Sequence, residues 1–263
     1  VQAVQQRIYA IGDIHGRADL LEALLAAIDA EGQAGDPVIV FLGDIIDRGP
    51  DSRRAMDLVR EALNRFPGSH LILGNHDHYL LAMMDDSFST QDSSKWLSSF
   101  GGMETVKSYF SDVPRTLDDM ADQFQADYGH HRELLDRAVD KVIIGNFCFV
   151  HAGIRPGVPL DEQDPHDLRW IREEFLQHVE LFEKMIVHGH TPTESDLPEI
   201  HRNRIAVDTG AYYSGRLTAA VIETEGALRF ICATERSAGS IDVEHIAAEQ
   251  AANSLDRHLL GTR

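Results

Sequence analysis

Six apolar runs, each stopping abruptly in a polar loop that contains glycine, constrain this chain more than any other feature. The clearest is Val38-Ile39-Val40-Phe41-Leu42, which ends in Gly43-Asp44 and continues through Ile45-Ile46-Asp47-Arg48-Gly49. A β-branched run bounded by glycine suits a strand covered on both faces. In open α/β sheets, ligands gather at the carboxyl ends of such strands. Taken alone, an Asp/Gly loop is an ordinary turn. Its recurrence at one strand end after another turns it into a candidate site.

The chain in order supports an alternating architecture. Arg7 to Ile11 reads as a strand, Gly12-Asp13-Ile14-His15-Gly16 as a loop, and Asp19 to Ala30 as a helix with Leu20, Leu21, Leu24, Leu25 and Ile28 along one stripe. The unit repeats: Val38 to Leu42, the Asp44 loop, and a helix from about Ser52 to Asn64. His70 to Leu73 then leads into Gly74-Asn75-His76-Asp77. Alternating strands and helices imply a parallel start to the sheet. Residues 79–140 turn polar and acidic and read as a helical insertion. There Trp96, Leu97, Phe100, Tyr109 and Phe110 form either a lid or the insertion's own core.

Later, Val142 to Ile144 and Phe147 to Val150 flank a Gly145-Asn146 hairpin turn. The second strand ends in His151-Ala152-Gly153. Leu168 to Phe182 reads as helical, Met185 to Val187 ends in His188-Gly189-His190-Thr191-Pro192, and Ile205 to Val207 ends in Asp208-Thr209-Gly210. Leu217 to Glu223 is expected to pair with Ala227 to Ala233 across Glu225-Gly226. A single domain over 1–240 is expected, followed by a C-terminal helix in 241–263 that docks through Ile246, Leu255 and Leu259. The 263 residues suit one core of ordinary size.

Charge and cysteine usage exclude several functions. With 43 acidic against 24 basic residues the formal charge is -19, which opposes an unassisted grip on a nucleic-acid polymer or an anionic membrane. Any phosphate must be held by local basic residues. Cys148 and Cys232 lie inside apolar runs, where a thiol behaves as a buried hydrophobe, so no disulfide is expected. Val1 to Arg7 carries no apolar signal region and no stretch approaches the ~18 apolar residues of a membrane span. A soluble, cytoplasmic protein is expected.

Together the loops supply Asp13, His15, Asp44, Asn75, His76, His151, His188 and His190. Carboxylate, imidazole and amide oxygen without thiolate suit manganese, iron or zinc. In their order and wording, Gly12-Asp13-Ile14-His15-Gly16, Gly43-Asp44-Ile45-Ile46-Asp47-Arg48-Gly49, Gly74-Asn75-His76-Asp77, His151-Ala152-Gly153 and Gly189-His190-Thr191-Pro192 resemble the motifs of the calcineurin-like metallophosphoesterases. The closer resemblance is to the bacterial serine/threonine phosphoprotein phosphatases, and it spans about residues 8 to 223.

That resemblance implies an α/β fold with a β-rich late part, an αββα sandwich of two mixed sheets carrying two divalent metals, manganese above all, at the strand ends. Position by position it implies that Asp13 and His15 bind the first metal, Asp44 bridges both, and Asn75, His151 and His190 bind the second. The chemistry implied is direct attack on phosphorus by metal-bound hydroxide, with His76 as general acid, Asp47 orienting it, and Arg48 and Asn75 holding phosphoryl oxygens. Arg172 resembles the second phosphate-holding arginine, with Arg169 as the alternative. His188 falls outside the ligand pattern and reads as structural.

Two departures matter. Asp77 replaces the usual Glu, so any brace on Arg48 is a methylene shorter. Pro192 stands where many relatives carry a further His ligand, which points to the phosphoprotein-phosphatase branch. The implied substrate is a phosphoserine or phosphothreonine protein or peptide. The alternative is a dinucleoside polyphosphate such as diadenosine tetraphosphate, and a remote third reading is an inactive binding module on the same scaffold.

Overall fold

The computed structural model describes residues 7–31, 37–85, 87, 89–223, 227–236 and 239–251. One sheet has six strands in the spatial order β11 (Ile241–Ala247), β10 (Leu228–Glu235), β9 (Arg216–Ile222), β1 (Ile8–Ile11), β2 (Val38–Phe41) and β3 (His70–Leu71). The other has five: β4 (Lys141–Ile144), β5 (Phe147–Val150), β6 (Met185–His188), β8 (Arg204–Ala206) and β7 (Glu199–Ile200). Each sheet has a parallel trio with antiparallel strands at its side. β1, β2 and β3 run together in the first, and β5, β6 and β8 in the second.

Alternation along each strand explains the layers. Ile8, Ala10, Val38, Val40 and Leu42 point to the same core as Phe149, Val187, Ile205 and Val207, so this cluster fills the space between the sheets. The intervening Tyr9, Ile11, Ile39 and Phe41 point the other way. They meet Leu20, Leu21, Leu24 and Ile28 of α1 (Ala18–Ala30) and Met56 and Val59 of α2 (Ser52–Arg65). On the far side Cys148, Val150 and Ile186 pack beneath Leu168 of α7 (Pro165–Trp170) and Phe175 of α8 (Glu173–Leu176). This is the expected αββα sandwich. Strands buried on both faces are why the runs are apolar throughout and do not alternate.

After β3 come α3 (Asn75–Met84), α4 (Thr90–Ser99), α5 (Gly102–Tyr109) and α6 (Leu117–Asp136). Trp96, Tyr109, Phe110 and Phe124 lie in the same core cluster as Leu20 and Met56. The insertion's aromatic residues therefore extend the main core and do not form one of their own.

Two expectations are corrected. Ile241–Ala247, expected as the start of the C-terminal helix, is a strand. Its residues pair with the free edge of β10, Ile241 and Val243 facing α1's side and Ile246 facing the inter-sheet core. That period of two and the hydrogen bonds offered by β10 override the helical pattern. Among the described residues of that segment α10 (Ala248–Ala251) is helical, while Leu255 and Leu259 lie outside the described residues, as does the expected Glu225-Gly226 turn. The helix read over Leu168 to Phe182 is two short ones, broken where Ile171 and Arg172 leave helical backbone geometry.

Candidate active site

All six parallel strands end at one edge, and each contributes a loop: Asp13 and His15 after β1, Asp44 to Arg48 after β2, Asn75 and His76 after β3, His151 after β5, His190 after β6 and Asp208 after β8. The loops are knitted together across the sheets. Ile14 N and His15 N both donate to Asp44 O (3.0 and 2.9 Å), Gly189 N donates to His151 O (2.8 Å), and His190 N donates to Asp13 Oδ1 (3.0 Å). His76 N donates to Asp44 Oδ1 at 2.9 Å.

The backbone here is unusual. Among the described residues, His15, Asp44, Asp47, Arg48 and His190 have φ of 46°, 51°, 73°, 69° and 66°. A left-handed conformation costs a residue with a Cβ roughly 1–2 kcal/mol, and such strain concentrates at functional sites. Two glycines serve a different purpose from that of an ordinary Asp/Gly turn. A Cβ on Gly74 would stand 2.2 Å from Asp44 Oδ1, and one on Gly189 2.0 Å from Asp13 Oδ1. Neither has positive φ, so each is needed for close approach of backbone to carboxylate.

Two sets of lone pairs converge, and Asp44 belongs to both. His15 Nδ1 sits 2.8 Å from Ile46 O, which fixes the hydrogen there and turns the Nε2 lone pair toward Asp44 Oδ2 (3.6 Å) and Asp13 Oδ2 (3.9 Å). His151 Nδ1 likewise donates to Leu42 O (2.8 Å), leaving its Nε2 2.9 Å from Asn75 Oδ1 and 3.4 Å from Asp44 Oδ1. His190 Nδ1 is 2.8 Å from the same amide oxygen.

Burial pushes His15, His151 and His190 down, toward the form that offers a lone pair. Burial, followed by repulsion from Asp208 and Asp44, pushes Asp13 well above the usual carboxylate range. Asp44 is also raised by burial, but His151, His76 and His15 outweigh that and take it down to about 2. Acceptors crowded in this way fit divalent cations, one per set, with one Asp44 oxygen offered to each.

His76 behaves differently from the other histidines. Burial lowers it, but Asp44 and Asp47 more than offset this, and the net direction is up. Its Nδ1 lies 2.7 Å from Asp47 Oδ2, and its Nε2 faces the site, 4.0 Å from Asp44 Oδ2 and 3.0 Å from Arg48 Nη2. Arg48 Nη1 also reaches His15 Nε2 at 2.7 Å, and its guanidinium lies over the Tyr212 ring at 4.8 Å. Asp47 is wholly buried. It is held by Trp96 Nε1 (2.8 Å to Oδ2) and Thr105 Oγ1 (2.6 Å to Oδ1), and Gly101 O accepts from Arg48 N at 3.2 Å. The insertion thus buttresses the Asp47-Arg48 loop.

Asp13, His15, Asp44, Asp47, Arg48, Asn75, His76, His151 and His190 are therefore brought to one place. Arg172 is exposed at its edge, with Nη1 3.3 Å from Thr191 Oγ1, whereas Arg169 is committed to Asp140 at 2.6 Å. Asp77 does not brace Arg48. It is buried and accepts from Ile45 N (2.9 Å) and Gly74 N (3.3 Å), capping α3, because the shorter side chain is consumed by local backbone donors. His188 is buried on the outer face of its sheet, edge-on to Phe175 at 5.0 Å. Sequence reasoning missed Asp208, whose carboxyl is raised to about 6, first by burial and then by Asp44; it ends the sixth apolar run as the ligands end theirs. It also missed the donors Trp96 and Thr105.

The sequence matches the calcineurin-like phosphoesterase family over residues 6–221. The chain belongs to that family. Among the relatives of this calcineurin-like phosphoesterase is the asymmetrical bis(5'-nucleosyl)-tetraphosphatase PrpE of Bacillus mycoides. It is 26% identical over 231 residues, covering 79% of this chain and 87% of that one. A crystal structure provisionally described as a diadenosine tetraphosphatase superposes with a TM-score of 0.57 at 22% identity, covering 93% and 96% of the two chains. The cold-active protein-tyrosine phosphatase of a Shewanella species gives 0.56 at 20% identity, covering 90% and 80%. At these identities the two structures establish the shared fold. No helix among the described residues is long and apolar enough to cross a membrane.

Proposed function

We propose that this metallophosphoesterase hydrolyses the polyphosphate chain of a dinucleoside polyphosphate, of which diadenosine tetraphosphate is the representative. The observation that carries the substrate class is the similarity to PrpE over most of both chains. It favours this reading over the phosphoprotein substrate expected from the motifs, since the phosphatase likeness is one of fold alone.

In this reading Asp13 and His15 would hold one metal, Asn75, His151 and His190 would hold the other, and Asp44 would serve both. Manganese is the expected metal. Two bound cations would neutralise phosphoryl charge and lower the pKa of a water. Arg48, whose fork already lies between His15 and His76, holds phosphoryl oxygens, assisted by Asn75 and by Arg172 from the rim. His76, whose pKa Asp44 and Asp47 raise against the effect of burial, lies where it can hydrogen-bond the departing oxygen, and it gives up its proton only where that oxygen leaves as a strong base. The expected cytoplasmic setting is part of the same reading.

The test is turnover on diadenosine tetraphosphate and on a phosphoserine peptide, side by side with manganese. A higher kcat/KM on the dinucleotide is expected. A higher value on the peptide overturns the substrate assignment and returns the protein to the phosphoprotein phosphatases.

A further inference from the structure

The rim of the site is aromatic, and the aromatic rings are divided between the two ligand sets. Tyr212 of α9 (Ala211–Ser214) stands edge-on to His15 at 5.4 Å and keeps 37% of its surface exposed. Arg17 Nη1 holds α9 in place through Ala211 O at 3.1 Å. On the other side half-buried Trp170 stands edge-on to His190 at 6.5 Å and to Tyr79 at 5.4 Å, with the exposed His166 ring stacked beside it at 6.1 Å. Holding Arg48 uses one face of Tyr212, and packing on Tyr79 uses one edge of Trp170. Neither role accounts for a solvent-accessible ring beside each half of the site, Tyr212 exposed on one side and Trp170 half-buried on the other.

We propose that Tyr212 and Trp170 are the platforms on which the two nucleobases of a dinucleoside polyphosphate stack, one at each ligand set, with the phosphate chain lying between them over the metal ligands. This rests on the hydrolase reading above. Every base presents a flat π-face, so stacking tolerates any base and leaves discrimination to the number of bases and the length of the chain joining them. A substrate with two rings at the two ends of an anion matches two rings flanking a cation-binding site. A phosphopeptide offers at most one ring beside its phosphate and leaves one platform unused.

Two measurements test this, and they separate its failure from that of the substrate assignment. The first uses p-nitrophenyl phosphate turnover as reporter and compares AMP with ribose 5-phosphate as competitive inhibitors, which differ only in the base. AMP is expected to bind roughly 5- to 100-fold more tightly, the ordinary range for one stacked base. Equal inhibition by the two overturns the platforms whatever the natural substrate is. The second compares kcat/KM for diadenosine tetraphosphate and for p-nitrophenyl phosphate in Tyr212→Ala and Trp170→Ala. Each is expected to lose roughly 5- to 100-fold more in kcat/KM on the dinucleotide than on p-nitrophenyl phosphate, with Tyr212→Phe and Trp170→Phe recovering most of the loss.

Equal losses on both substrates assign these rings a purely structural role and overturn the proposal, and a selective loss confined to one variant overturns the pairing. A strong preference for AMP in a protein that does not cleave the dinucleotide leaves base stacking standing and sinks the dinucleotide assignment.

Discussion

Replacing His76 by asparagine separates the substrate classes as well as testing the acid. The role assigned to His76 rests on geometry: Nδ1 is tied to Asp47 at 2.7 Å, Nε2 faces the site, and Asp44 and Asp47 raise the pKa of the ring against the effect of burial. A serine phosphate leaves as an alkoxide nearly as basic as hydroxide, so loss of a positioned acid should cost about 10²–10⁴-fold, or roughly 3–5 kcal/mol. A nucleotide phosphate has a second pKa near 6 and departs at neutral pH without needing the proton. His76→Asn should therefore lose less than about tenfold on diadenosine tetraphosphate, and little on p-nitrophenyl phosphate, whose phenol is acidic.

The assay is kcat/KM on the three substrates with metal content measured on the same samples. Because the 4.0 Å separation of His76 Nε2 from Asp44 Oδ2 would by itself admit a ligand, metal content decides between acid and ligand. Loss of bound metal, or equal losses on phosphoserine and p-nitrophenyl phosphate with chemistry rate-limiting, refutes the acid assignment.

Asp44→Asn should lower metal content in both sets together and abolish turnover, because one Asp44 oxygen faces each set; two retained metal equivalents by elemental analysis would refute the bridging role. Cys148→Ser and Cys232→Ser should keep near-normal activity, since both thiols are buried and burial pushes Cys148 up to about 11; a trapped phosphoenzyme or loss of turnover would refute this. His131, buried between Tyr109 Oη (2.9 Å) and Asp57 (3.1 Å), is lowered to about 4, chiefly by burial. The folded state thus takes up this proton less readily than the unfolded chain, whose His titrates near 6.5, and the stability is complete above that pH and lost as pH falls toward 4. His131→Gln should remove about 2 kcal/mol of the stability lost between pH 7 and pH 5, read from urea unfolding, and equal slopes in the two proteins would count against it.

What could be read from the chain and what could not divides by the range of the interaction. β1 and β2 were legible because a strand buried on both faces must be apolar at every position, and the ligand loops because a strand end in this fold places Asp44 or His151 at the site without outside help. β11 was not, since Ile241, Val243 and Ile246 suit either period until the edge of β10 is known to await a partner. β7, two residues long, carries too little pattern to read. Asp77 misled for a related reason: whether it reaches Arg48 or caps its own helix is decided by a methylene and by the nearness of Ile45 N.

The deepest gap concerns Asp47. Its pairing with His76 could be anticipated from a motif, but the indole and hydroxyl that hold it come from Trp96 and Thr105, 49 and 58 positions away, inside a helical segment whose polar composition marks it as peripheral. Burial raises the Asp47 carboxyl, and what opposes that rise is His76 first and then Thr105 and Trp96, so the insertion helps set the electrostatics of the site although none of the candidate metal ligands lies in it. Residues that touch the reaction are written locally at strand ends, while those that set its protonation are written wherever the chain happens to return. A motif therefore identifies the chemistry of this site sooner than it identifies what tunes it.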